Sequence, residues 1–143
     1  MGKKHVLTVP GLYDEIKTIC QFVMQGAEAA GMDETALFHI ELACDEACTN
    51  VIEHAYGGEG GGDVKVSWQV KGNVFIITVM DNGRRFEPDQ IPAPPPADNV
   101  DKIKIGGLGI HFMRKLMDEV SFSFNPQTGN ELIMKKKIKT EAS

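Results

Sequence analysis

Apolar residues recur along the chain with two periods, one near 3.6 residues and one of 2, and the switches between them mark the elements. His5–Val9 alternates as a short strand closed by Pro10–Gly11. From Leu12 to Ala30 the positions Ile16, Ile19, Cys20, Val23 and Met24 keep helical spacing. Gly31 ends that helix, and Asp33 is suited to cap the next. The second helix runs to about Tyr56, where Gly57–Gly58 stop it, and at ~1.5 Å per residue it is about 35 Å long. Leu37, Ile40, Cys44, Cys48, Val51 and Ala55 form its apolar stripe, the expected core face. Roughly opposite lie His39, Ala43, Glu46, Asn50, Glu53 and His54. A solvated face is the plain interpretation, but the small Ala43 and Ala47 beside a carboxylate and an amide suit a cleft better.

After a glycine-rich turn at 57–63 come two alternating runs, Val64–Val70 and Val74–Met80, joined as a hairpin by Lys71–Gly72–Asn73. Residues 84–105 carry prolines at 88, 92, 94, 95 and 96 and no clear period, which marks a functional lid or an irregular excursion. Leu108, Phe112 and Leu116, with Met113 and Met117, mark a third helix. Val120–Phe124 and Leu132–Ile138 follow as strands joined by the turn Asn125–Asn130. Hairpins beside a few helices predict an α+β fold: a two-layer α/β sandwich whose mostly antiparallel sheet is covered by three helices on one face. The strand–helix alternation of a doubly wound parallel sheet is missing.

Composition narrows this modestly. At 143 residues, residues 1–143 are expected to form a single domain able to bury a core. A formal charge of −5 and the lack of a basic stripe exclude the usual nucleic-acid footprint. Lys135–Lys137 reads as a solvated strand edge. No apolar run approaches the ~18–20 residues of a membrane span, and MGKKHVLTVP lacks the core of a signal peptide. Three cysteines, two of them four apart on the second helix, read as free thiols of a reducing cytoplasm packed into the core.

Three stretches carry chemistry: EACTNVIEH at 46–54, DNG at 81–83 and GGLGI at 106–110. The first puts Glu46, Asn50 and His54 at i, i+4 and i+8, one face of a continuous α-helix. In a site for a triphosphate with Mg²⁺, Asn50 offers a neutral oxygen ligand, and one protein ligand suffices for a cation that keeps its waters. Glu46, one turn away, is placed to accept a proton. Asp81 would repel phosphates, but it suits the exocyclic amino group of adenine, and Gly83 permits a close backbone approach. Gly106, Gly107 and Gly109 open a helix with bare N–H groups that favour anions. Singly each stretch is commonplace; their joint occurrence in this order is not.

EACTNVIEHAY, DNGRRFEP and IGGLGIHFMRKLMDEV resemble the N box and two glycine boxes of the GHKL, or Bergerat-fold, ATPases. The match is strongest to the anti-sigma-factor serine/threonine kinases and covers about His5 to Lys139. The resemblance implies a histidine-kinase-like ATPase fold with Glu46 as general base, Asn50 as magnesium ligand and Asp81 as the adenine-reading carboxylate. It further implies that Gly83 contacts the base, that Gly107, Leu108 and Gly109 wrap the phosphates beside Gly106, and that 84–105 is an ATP lid with Lys104 a phosphate contact. His54 either orients Glu46 or is a cation favoured at a helix C-terminus. ATP and Mg²⁺ are the implied cofactors. The implied partners are a sigma factor, a STAS-domain anti-sigma antagonist that is phosphorylated, a cognate metal-dependent phosphatase, and a second copy in a cytoplasmic homodimer, with no nucleic acid or membrane. The alternative is a non-catalytic ATP-binding module that sequesters a sigma factor or STAS protein. Two positions depart from the pattern: Arg85 where many relatives have a second glycine, and Asn130 where a threonine often follows the glycine of the last turn.

Overall fold

The computed structural model describes residues 3–85 and 113–139. Five strands form one antiparallel sheet: β1 (His5–Pro10), β2 (Asp63–Lys71), β3 (Val74–Asp81), β4 (Glu119–Asn125) and β5 (Gly129–Lys137), in the order β1-β2-β3-β5-β4. Each strand runs a residue or more beyond its alternating apolar core, because backbone pairing continues after the hydrophobic pattern stops. Lys71 pairs with Val74, leaving Gly72–Asn73 as a two-residue hairpin turn, with Gly72 at φ +61°.

The helices are α1 (Tyr13–Ala29) and α2 (Glu34–Asn50), with a helical turn at 113–116. Asp33 caps α2 as its position foretold, accepting from the Ala36 N–H at 2.8 Å. On β3 the inward residues Phe75, Ile77 and Val79 are buried against this layer, whereas Val74, Ile76 and Met80 on the other face are half-buried. Gly26 lets α1 lie directly on the Trp68 indole of β2, since a Cβ there would overlap the ring. Trp68 in turn stacks between His5, 4.0 Å away, and Phe75, 5.6 Å away between ring centroids. Cys20, Cys44 and Cys48 are buried free thiols, as expected of core filling.

Three expectations need correction. The second helix is not one continuous α-helix to Tyr56: Val51–Ala55 wind as a π-helical turn, in which Tyr56 N–H donates to Val51 O, five residues back, at 3.0 Å. Ala43 and Asn50 do not face away from the core. Both are buried, because the helix lies on the sheet along a broad face that includes Ala43 and Ala47 as well as the larger residues. Lys136 is not a solvated edge cation; its Nζ donates to Leu116 O at 2.6 Å and so holds the end of the 113–116 turn. Most of the proposed lid (84–105) and the start of the third helix lie outside the described residues.

Candidate nucleotide site

Three buried rows of the two-layer core end in polar residues at the same place. On β3 the inward row Phe75, Ile77, Val79 continues to Asp81, so the carboxylate occupies a core register position and is only 3% exposed. Asn130 lies directly opposite it on β5, in the row that continues through Leu132 and Met134. The alanine face of α2, Ala43 and Ala47, leads to Asn50, 2% exposed. Alanines leave space between helix and sheet, and a pocket of about 70 Å³ opens there. Ala47, Asn50, Asp81 and Asn130 line it, with Phe122, Phe124 and Leu132 among its apolar walls.

One oxygen of Asp81 is fully used within the fold. Oδ1 accepts from the Gly83 N–H at 2.8 Å and from Asn130 Nδ2 at 2.9 Å. Oδ2 is buried with no hydrogen-bond partner among the described residues. Burial pushes the Asp81 carboxyl above its ordinary range, and the hydrogen bonds from Asn130 and Gly83 offset this only in part. Both Asn50 side-chain atoms, Oδ1 and Nδ2, are likewise buried without a partner. Unsatisfied polar groups of this kind are rare in native interiors, and three such atoms on two neighbouring pocket residues mark a site shaped for a ligand.

The turn after Asp81 is knitted to the end of the π turn. A Cβ on Gly83 would come within 2.5 Å of Ala55 O, so the close approach that glycine permits is to protein backbone. Arg84 donates from its backbone N–H to Ala55 O and from Nε to His54 O, each at 2.9 Å. Asn130 Nδ2 uses its second hydrogen on Arg84 O at 2.8 Å, so Asn130 bridges Asp81 and the turn, which a threonine hydroxyl with one hydrogen could not do. The Tyr56 hydroxyl accepts from Asn82 N–H at 3.0 Å and donates to Asp63 O. This clamp of Tyr56, Arg84 and Asn130 was not foreseen, because no local pattern encodes contacts between a helix end and a strand end 26 or more residues apart.

Glu46 lies one turn before Asn50 and is half-buried; desolvation, then Asp45 and Glu53, raise its pKa. It is not among the pocket-lining residues. His54 lies in the π turn, which breaks the continuous α-helical face expected of it; it is half-buried and is not among the residues that line the pocket. The structure therefore brings together Asn50, Asp81 and Asn130 on one pocket, with Gly83 two residues after Asp81 and Glu46 one turn before Asn50, while His54 is not among the lining residues. Lys104, Gly106, Gly107, Leu108 and Gly109 lie outside the described residues. Among the described residues no cluster of three His, Cys, Asp or Glu could hold a metal ion by itself, and no helix is long and apolar enough to cross a membrane.

Comparison with known proteins bears on the family and the fold. The profile of the histidine kinase-like ATPase domain matches residues 9–136. The serine-protein kinase RsbW of Bacillus velezensis is 38% identical over 90 residues, which cover 60% of this chain and 56% of that protein. RsbW of Listeria innocua is 29% identical over 116 residues, 78% of this chain and 73% of that protein. The match thus spans little more than half the length of the Bacillus relative. A crystal structure of the RsbU and RsbW domains of a Mycobacterium tuberculosis protein superposes with a TM-score of 0.67 at 15% identity, covering 94% of this chain and 32% of that one. That likeness supports the two-layer fold.

Proposed function

The chain belongs to the histidine kinase-like ATPase domain family, and from that premise we propose that it is a Mg-ATP-dependent serine/threonine protein kinase that doubles as an anti-sigma factor. Asp81 Oδ2 accepts a hydrogen from the exocyclic amine of adenine, while Oδ1 stays committed to Gly83 and Asn130. Asn50 Oδ1 holds Mg²⁺, which, when bound, supplies positive charge to neutralise and orient the phosphates. Glu46 takes the proton of the attacking hydroxyl, and its raised pKa brings it closer to a base matched to neutral pH. Gly106, Gly107, Leu108, Gly109 and Lys104 are assigned to the phosphates on the sequence resemblance alone. The substrate is a serine or threonine of a STAS-domain antagonist, and the same surface system binds a sigma factor. A metal-dependent phosphatase reverses the mark, and the protein works as a cytoplasmic homodimer.

The observation that carries the reading is the set of polar atoms without a hydrogen-bond partner among the described residues, Asn50 Oδ1 and Nδ2 and Asp81 Oδ2, on one pocket of this family's fold. The test is transfer of labelled phosphate from Mg-ATP to STAS-domain proteins of the same organism. Wild type transfers; Glu46→Ala still binds ATP but does not transfer; Asn50→Ala loses the magnesium-dependent part of ATP affinity. A wild type that binds Mg-ATP and transfers nothing to any of them would point to the non-catalytic binding module instead.

A further inference from the structure

Arg85 stands where many relatives carry glycine, and it forms part of the pocket wall. Its guanidinium carbon lies 5.7 Å from the centroid of the Phe124 ring, the separation of a cation–π stack. Phe124 projects from β4, so the arginine is braced against the sheet. This contact holds the guanidinium at the pocket wall, and a planar fork of donors is the geometry that matches phosphate oxygens. Among the described residues that line the pocket it is the only cation, and the walls also bring two carboxylates, Asp81 and Glu131. Against these two carboxylates Arg85 is the one compensating charge a polyanion meets among the described lining residues. An adenosine without phosphates has no such need.

We propose that Arg85, braced on Phe124, is the specificity-determining residue that makes this pocket prefer phosphorylated over unphosphorylated adenosine. The inference rests on the nucleotide reading above and deepens it, since it assigns to a side chain of this turn a task that glycine cannot perform. It also accounts for a bulky cation at a position where many relatives have glycine: the arginine adds a phosphate contact and does not close the site.

The experiment is calorimetric titration of adenosine, AMP, ADP and ATP into the full chain, as wild type, Arg85→Gly and Arg85→Lys. The ATP-to-adenosine affinity ratio is expected to fall about tenfold in Arg85→Gly, with adenosine affinity changed by less than about twofold. Arg85→Lys keeps the charge but loses the planar fork of donors, so its ratio falls in between. Raising salt from about 50 to about 300 mM narrows the wild-type ratio and barely moves that of Arg85→Gly. A merely structural role would shift all ligands together and would lower the melting temperature, which is read in parallel. If wild type binds ATP and the ratio is unchanged in Arg85→Gly, this proposal is overturned while the nucleotide site stands. Equal tightening of ATP and adenosine in Arg85→Gly also overturns it, because the side chain would then be a plug. A wild type that binds none of the four ligands overturns the nucleotide reading itself, and this inference with it.

Discussion

Replacing Asp81 by asparagine alters one atom of the pocket and leaves its scaffold in place. Both internal hydrogen bonds of the carboxylate, from Gly83 N–H and Asn130 Nδ2, end on Oδ1. An asparagine would therefore keep its carbonyl oxygen there and turn its amino group to the position of Oδ2, which has no partner among the described residues. The opposite orientation would set donors against two donors. In the wild type, Oδ2 is held in a buried row with no partner among the described residues, a cost of order 1–3 kcal/mol for an unsatisfied group. The amide is also unpartnered but carries no charge, so the variant is expected to be more stable than wild type by about 1 kcal/mol at pH 7. The sign follows from the raised carboxyl pKa. The folded state binds the proton more readily than the unfolded chain, so stability from this group is fully present below the unfolded value of about 3.9 and is lost as pH rises through the folded value. The advantage of Asp81→Asn is thus present at neutral pH and closes as the solution is acidified through the carboxylate range. Binding moves the other way: adenine's amine would face a donor, and ATP affinity should drop by about 10²-fold. Urea unfolding at pH 7 and pH 4, with calorimetric titration of ATP, measures both. A variant destabilised by more than about 2 kcal/mol at pH 7 would show that Oδ2 has a structural task. Unchanged ATP affinity would remove Asp81 as the reader of the base.

Gly129 has φ +93°, and a Cβ there would overlap the Asp81 carbonyl oxygen, so Gly129→Ala combines backbone strain with a clash at the site's own strand pair. We expect a loss of about 3 kcal/mol or more in urea unfolding, together with weakened nucleotide binding; a loss under about 1 kcal/mol would contradict the close approach of the two strands. For Glu46, burial first and then the neighbouring Asp45 and Glu53 raise the carboxyl pKa. The acid limb of the phosphotransfer profile should therefore lie above the ordinary glutamate range and disappear in Glu46→Gln, and a limb at the ordinary value would separate Glu46 from the proton transfer.

Where burial is periodic, the sequence was a good guide. Alternation along β2 and β3, helical spacing along α1, the Asp33 cap and the Gly72–Asn73 turn all correspond to elements of the structure, because each depends on neighbours within a few residues. The misreadings on α2 have a physical origin too. Alanine is neutral in an apolar pattern, so Ala43 and Ala47 did not reveal that the face they share with Asn50 lies on the sheet. Val51, Ile52 and Ala55 are equally apolar in an α or a π winding, and only the backbone bond from Tyr56 to Val51 distinguishes them. The π winding begins only after Asn50, which reaches the pocket on the alanine face of α2, while His54, inside the turn, contributes a carbonyl to Arg84.

The same contrast explains why the site was partly legible at all. A core row that is apolar at every second position and then turns to aspartate breaks its own rule, and such a break is costly unless something compensates it. Asp81 on β3 and Asn130 on β5 are breaks of this kind at paired register positions, and Asn50 is the corresponding break on the helix above them. The polar residues are therefore visible in the sequence as interruptions. What they interrupt, and that the interruptions meet, depends on strand pairing across about fifty residues and on the space left by two alanines. The clamp through Arg84, Tyr56 and Asn130 fixes the turn that carries Asp81 to the end of the helix that carries Asn50, so the distance between the two ligand-facing groups is set by long-range side-chain-to-backbone hydrogen bonds with no local sequence signature. A change in that clamp should move both groups together, which is why substitutions there are better probes of the site's geometry than removal of either group alone.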